Sequence, residues 1–184
     1  MPLDATLGGA AATSYVTLSA AEGYLGDRLF ASAWENADES ERSRALIQAT
    51  AWLDAMAWEG MKATTTQRLA WPRAYAPTQE PSFADAFPSS AKLLDARARY
   101  YSETEIPRPI IEATCELALA LLGESADPSA RDAAEGITRE KVGPLETEYA
   151  SPTLRKQGLS RYPAVWARIQ PLLRHAQGGT VTRA

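Results

Sequence analysis

The sequence holds one cysteine, Cys115, and one histidine, His175, among 184 residues. A single thiol excludes a disulfide framework within one chain and suits a reducing compartment. A single imidazole, set in a basic C-terminal stretch, supplies neither a histidine metal cluster nor the base of a triad. Cys115 lies beside an apolar helical stripe with no histidine near it in sequence, so it reads as a buried structural thiol rather than a nucleophile. Long apolar runs are also missing: none approaches the roughly 18 residues that a bilayer span needs. The glycine pairs Gly8-Gly9 and Gly178-Gly179 sit near the two ends, and neither is followed by a Walker-type lysine, so no phosphate loop is expected. The opening MPLDATLGGAAATSY carries an acid and no basic region, unlike a signal peptide. These absences point away from an enzyme, a metal, a cofactor and a membrane.

What is present is an ordinary soluble composition, 45% hydrophobic and 23% charged, with a net charge of −4. The charge is unevenly spread. Residues 1–60 hold nine acids and three bases, a net of −6, while residues 151–184 hold six bases and no acid. A basic end on an acidic body suits either an acidic partner or plain solvation. Its Arg155, Lys156, Arg161, Arg168 and Arg174 are the candidate contacts to such a partner or to DNA.

The periodicity predicts a mainly α protein, a small helical bundle with a long irregular excursion, a C-terminal strand or hairpin arm and a short terminal helix. Residues 1–14 read as a flexible N-terminal arm. A helical core follows over 15–123, with 74–104, punctuated by Pro77, Pro81 and Pro88, as an irregular insertion. The first helix is expected from about Ala20 to about Leu29, opened by a Ser19–Glu22 capping box, with Tyr24, Leu25 and Leu29 toward the interior. A second, capped by Asp38 or Ser40, runs to about Trp58 and places Leu46, Ala49, Thr50, Leu53, Met56 and Ala57 on one face. A third starts at Ile106-Pro107, carries Ile110, Ile111, Thr114, Leu117, Ala118, Leu121 and Leu122, and closes at Gly123. Residues 124–136 read as a linker, 137–174 as the strand arm and terminal docking helix, and 175–184 as a disordered tail.

Glu140 to Ala150, EKVGPLETEYA, differs from the rest: β-prone residues alternate with carboxylates as on a half-buried strand. Either it adds to a sheet edge on another molecule or it folds back as a hairpin of 138–142 on 145–149 across Gly143-Pro144. On the first reading Val142, Leu145, Thr147 and Tyr149 contact a partner, and Tyr162, Trp166, Ile169 and Leu172 of the terminal helix dock beside them. A second constellation, Trp52, Trp58, Trp71 and Tyr75 near Arg68 and Arg73, reads first as core packing and alternatively as a base-stacking surface.

The ordered series SYVTLSAAEGYLGDRL (Ser14–Leu29), ERSRALIQATAWLDA (Glu41–Ala55), QRLAWPR (Gln67–Arg73), IPRPIIEATCELALALL (Ile106–Leu122), EKVGPLETEYA and RYPAVWARIQPLL (Arg161–Leu173) resembles a tailed-phage family labelled DnaT-like single-stranded DNA-binding. That family is also similar to head–tail connector or adaptor proteins. The stretch Tyr75–Glu105 departs from it by its length. As an adaptor, the resemblance implies a virion neck subunit forming a dodecameric ring beneath the portal protein, assembled in the host cytoplasm. It would bridge to the next neck or tail-completion protein while genomic double-stranded DNA passes without specific binding. As a DnaT-like protein, it implies a replication factor that binds single strands.

Overall fold

The two strongest amphipathic runs form the centre of the molecule. In the computed structural model, which describes residues 2–78, 100–126, 139–142, 145–148 and 158–174, the elements run α1 (Leu18–Gly26), α2 (Ser32–Glu35), α3 (Glu39–Asp54), β1 (Met61–Lys62), β2 (Arg73–Ala74), α4 (Arg108–Ala126), β3 (Arg139–Val142), β4 (Leu145–Glu148) and α5 (Pro163–Ile169). The described chain is mainly α, with two small two-stranded antiparallel pairs, β1–β2 and β3–β4. α3 packs on α4, and α5 closes the other side of α4.

Each boundary has a local cause. Asp38 caps α3 through a full capping box with Glu41, which satisfies backbone donors at both ends of the pair. The helix stops at Asp54 rather than near Trp58, because the Trp58 indole donates to the Leu53 carbonyl at 3.0 Å and occupies a helix-end acceptor. Leu46, Ala49, Thr50 and Leu53 face the core as expected, whereas Ala57 is exposed. α1 is capped by Thr17, whose hydroxyl accepts from the Ala20 amide, and it ends at Gly26. Leu25 is fully buried, but Leu29 lies beyond the helix and is exposed. α4 runs through Gly123 to Ala126, since Glu124 is tied to Arg161 and Tyr162 and holds the last turn in register.

The N-terminal segment is not a loose arm. The Asp4 amide donates to the Thr13 hydroxyl at 2.8 Å, the Thr13 and Ser14 amides return to the Asp4 carbonyl, and the Arg68 amide donates to the Gly9 carbonyl. Ala12, Tyr15 and Val16 are thereby buried in the core.

The hairpin reading of the strand holds. β3 and β4 pair antiparallel, with Val142 opposite Leu145 and Arg139 opposite Glu148, so the strand has a partner within its own chain. The terminal helix is corrected likewise. Tyr162, Ile169 and Leu172, together with Val165, are buried in this chain's core, so they are not free anchors for another molecule, while Trp166 is half-buried and packs against that core. An antiparallel bridge between Trp58 and Leu173, with the Glu59 amide on the Leu172 carbonyl and the Arg174 amide on the Ala57 carbonyl, staples the segment down. Tyr149, Arg155, Lys156, the linker from 127, the tail from 175 and most of the expected excursion (79–99) lie outside the described residues.

Candidate nucleic-acid interface

The aromatic constellation divides sharply. Trp58 and Trp71 are core residues, meeting edge to face at 5.7 Å, and Tyr101 continues the stack on Trp71 at 6.4 Å. Trp52 is half-buried beneath Arg161, whose guanidinium sits 5.6 Å from its ring centre. Core packing is therefore the role of three of the four aromatics. Tyr75 alone is presented to solvent, 65% exposed, with Tyr100 (41%) standing edge-on at 5.8 Å.

Backbone geometry produces that presentation. The β1–β2 ribbon pairs Met61 with Ala74 and Lys62 with Arg73, and the chain then turns at Tyr75 with φ 58°. Left-handed backbone costs an L-residue about 1–2 kcal/mol, and here it is not repaid by burying the ring. Gly60 (φ +73°) makes the ribbon possible: a Cβ there would run into the Ala74 carbonyl and stand 2.9 Å from the Tyr75 carbonyl carbon. The far side is fixed by a bridge between Pro77 and Tyr100 and by the Tyr101 amide on the Ala76 carbonyl. Together they shape an open cleft of about 820 Å³ walled by Ala74, Tyr75 and residues 100–105.

Charge around the ribbon is mixed. Arg73, expected beside the aromatics as a possible DNA contact, is buried and spends its guanidinium on the carbonyls of Trp58, Glu59, Gly60 and Ala70. Burial lowers its pKa, yet an arginine remains cationic there. Lys62 and Arg68 are exposed, with the Lys62 ammonium on the Arg68 carbonyl at 2.8 Å. Glu103 and Glu105 stand at the opposite wall of the cleft.

The other candidate cations are mostly committed within the chain. Arg168 binds Glu112 at 3.0 Å and lies 3.6 Å from Glu116, while Arg28 forks onto Glu116 at 2.8 and 2.9 Å. Arg161 meets Glu124 at 3.2 Å. Arg174 remains on the surface. Burial pushes Glu112 and Glu116 toward higher pKa, but the hydrogen bonds from Arg168 and Arg108, and from Arg28 and Tyr24, outweigh it and hold both below the ordinary 4.5. Cys115 is fully buried, and burial pushes its thiol up to about 12, which accords with a structural role. Among the described residues no group of His, Cys, Asp or Glu could hold a metal ion, and no helix is long and apolar enough to cross a membrane.

Sequence reasoning singled out Tyr75 and Arg68 but missed Met61, Lys62 and Tyr100. The adjacent tyrosines 100 and 101 were a visible signal, whereas the left-handed turn at a tyrosine had none.

No curated protein and no solved structure matches the chain. A family model does match, over residues 1–184, and its description speaks of single-stranded DNA and gives no support to the head–tail connector likeness. Over its whole length the chain belongs to the family described as "Putative DnaT-like ssDNA binding protein".

Proposed function

We propose that the chain binds single-stranded DNA, with unpaired bases stacking on the Tyr75–Tyr100 pair. Lys62, Arg68 and the basic stretch after residue 150 then supply phosphate contacts. The observation that carries this reading is the presentation of Tyr75: strained backbone, an open ring and a second aromatic edge-on to it. Every base has a face that can stack, so such a platform tolerates any sequence. The family description supports the same activity. Fluorescence anisotropy of a labelled oligothymidine and of a matched duplex tests it. Binding should favour the single strand and weaken as salt rises; equal or absent binding at low salt removes the reading.

A second reading, a head–tail adaptor subunit touching portal and tail components, is favoured by one specific observation. The half-buried arginines Arg28, Arg161 and Arg168 are matched by Glu116, Glu124 and Glu112, so these three, among the described residues, leave no unpaired charge for a phosphate backbone. A passage that DNA must traverse without sticking has that character. Electron microscopy of lysates from a phage carrying an early stop in this gene separates the two: filled or leaking heads beside finished tails fit an adaptor, and blocked DNA synthesis fits the replication role.

A further inference from the structure

Stacking on the Tyr75–Tyr100 pair is indifferent to base identity, but the wall of the cleft beside it is not. The cleft is bounded by Ala74 and Tyr75 on one side and by residues 100–105 on the other. Among those residues there is no lysine, arginine or histidine, and two are carboxylates, Glu103 and Glu105. Both are exposed, and among the described residues none pairs with either. Ser102 and Thr104, by contrast, are occupied with each other. Their hydroxyl oxygens lie 2.8 Å apart, and the Thr104 amide donates to the Ser102 hydroxyl at 3.2 Å. That turn spends one of the two hydroxyl hydrogens and leaves the carboxylates as the free acceptors of the wall.

Such chemistry sorts the parts of a nucleotide. A phosphate finds no cation inside the cleft and two negative charges to avoid, so the strand's backbone belongs outside it. A base can enter. A cavity of about 150 Å³ suffices to hold a benzene ring, so a cleft of about 820 Å³ has room for a purine. The edge of that base then meets acceptors, which take hydrogen bonds from amino groups and repel carbonyl oxygens. Thymine offers one N–H between two carbonyls. Cytosine and adenine each offer an amino group beside a ring nitrogen that is itself an acceptor. Guanine alone offers two adjacent donors, N1–H and the 2-amino group, spaced to fork onto both oxygens of one carboxylate. Paired bonds to an ionised acceptor are the strong kind.

We infer that this cleft takes an unstacked guanine in preference to the other bases. The guanine N1–H and 2-amino group donate to the carboxylate of Glu103 or Glu105, while the face of the base lies on Tyr75. This rests on the single-strand reading above and adds a specificity to it: stacking supplies affinity, and the two glutamates choose the base.

Anisotropy with three short labelled strands tests it: oligothymidine, the same strand with one central guanine, and the same strand with hypoxanthine in that place. Hypoxanthine keeps N1–H and the purine face but lacks the 2-amino group. The guanine strand should bind about tenfold tighter than oligothymidine, the scale of one bidentate base contact, with hypoxanthine between them. With Glu103→Ala and Glu105→Ala combined, guanine and hypoxanthine should bind alike, and oligothymidine at least as well as before. Should that double variant misfold, Glu103→Gln with Glu105→Gln keeps the shape, removes the charge and should narrow the same gap. A wild type that binds the guanine strand no tighter than oligothymidine overturns the inference and leaves single-strand binding standing. So does hypoxanthine bound as tightly as guanine, or a guanine advantage that survives loss of both carboxylates. Binding of none of the three strands removes the inference and the single-strand reading together.

Discussion

Gly60 and Tyr75 face each other across the β1–β2 ribbon so closely that the glycine has no room for a methyl group. Gly60→Ala therefore combines a clash with the Ala74 carbonyl and an L-residue at φ +73°. A loss of about 1–3 kcal/mol is expected, read as a lower urea midpoint with unchanged slope. Single-strand affinity should fall with it, because the turn that aims the Tyr75 ring is disturbed.

Tyr75→Ala and Tyr100→Ala separate stacking from folding. Tyr75 stands largely in solvent and Tyr100 is exposed outside the core, so urea midpoints should stay near the wild-type value. Each substitution should weaken oligothymidine binding by about 1–3 kcal/mol, the usual worth of one stacked base. Tyr75→Trp should restore it. Unchanged affinity in both alanine variants would move any DNA contact away from this cleft.

Acid should loosen the junction of α1, α4 and α5. Glu112 and Glu116 are held below 4.5 by their arginine and tyrosine partners. A depressed carboxylate contributes stability that is fully present above its unfolded pKa and is lost as pH falls through the folded value. Denaturant midpoints should thus be level from neutrality to about pH 5 and decline below the ordinary carboxylate range. In Glu116→Gln the neutral-pH midpoint should be lower, since Arg28 and Arg168 lose their shared carboxylate, and the decline in acid should be shallower.

Ile169→Ala reports whether the terminal helix belongs to the fold. The side chain is fully buried, so a cavity cost of about 2–5 kcal/mol is expected across the whole cooperative transition. A normal melt would mean that α5 contributes nothing to the core.

The helical framework was legible because its signals are local. The Asp38–Glu41 box, the three-and-four spacing through Leu53 and the stripe from Ile110 to Ala118 each need only neighbouring residues to be recognised. The strand beginning near Val142 was legible as a strand, and its partner was one of two open choices. The destination of Tyr162, Ile169 and Leu172 was not legible: large apolar residues look alike whether they fill their own core or a partner's. Nor was the spending of Arg28, Arg161 and Arg168 on Glu116, Glu124 and Glu112, since those pairs lie tens of residues apart and sequence gives only their totals. Tyr75 shows the same limit from the other side, for its solvent exposure follows from a backbone angle that no tyrosine announces.

The bridge from Trp58 to Leu173 also sets an order of events during synthesis. A ribosome that has released residues up to the end of α4 has delivered both central helices, but the face of α4 that Val165 and Ile169 cover is still bare. Closing it requires a loop of more than a hundred residues to find its two ends, an entropic step that local helix formation cannot hasten. Until then the nascent chain displays apolar surface of the kind that chaperones hold. A stop codon before residue 165 would leave every earlier described element encoded and the core uncovered, so the segment around Ile169 decides whether the helices before it survive.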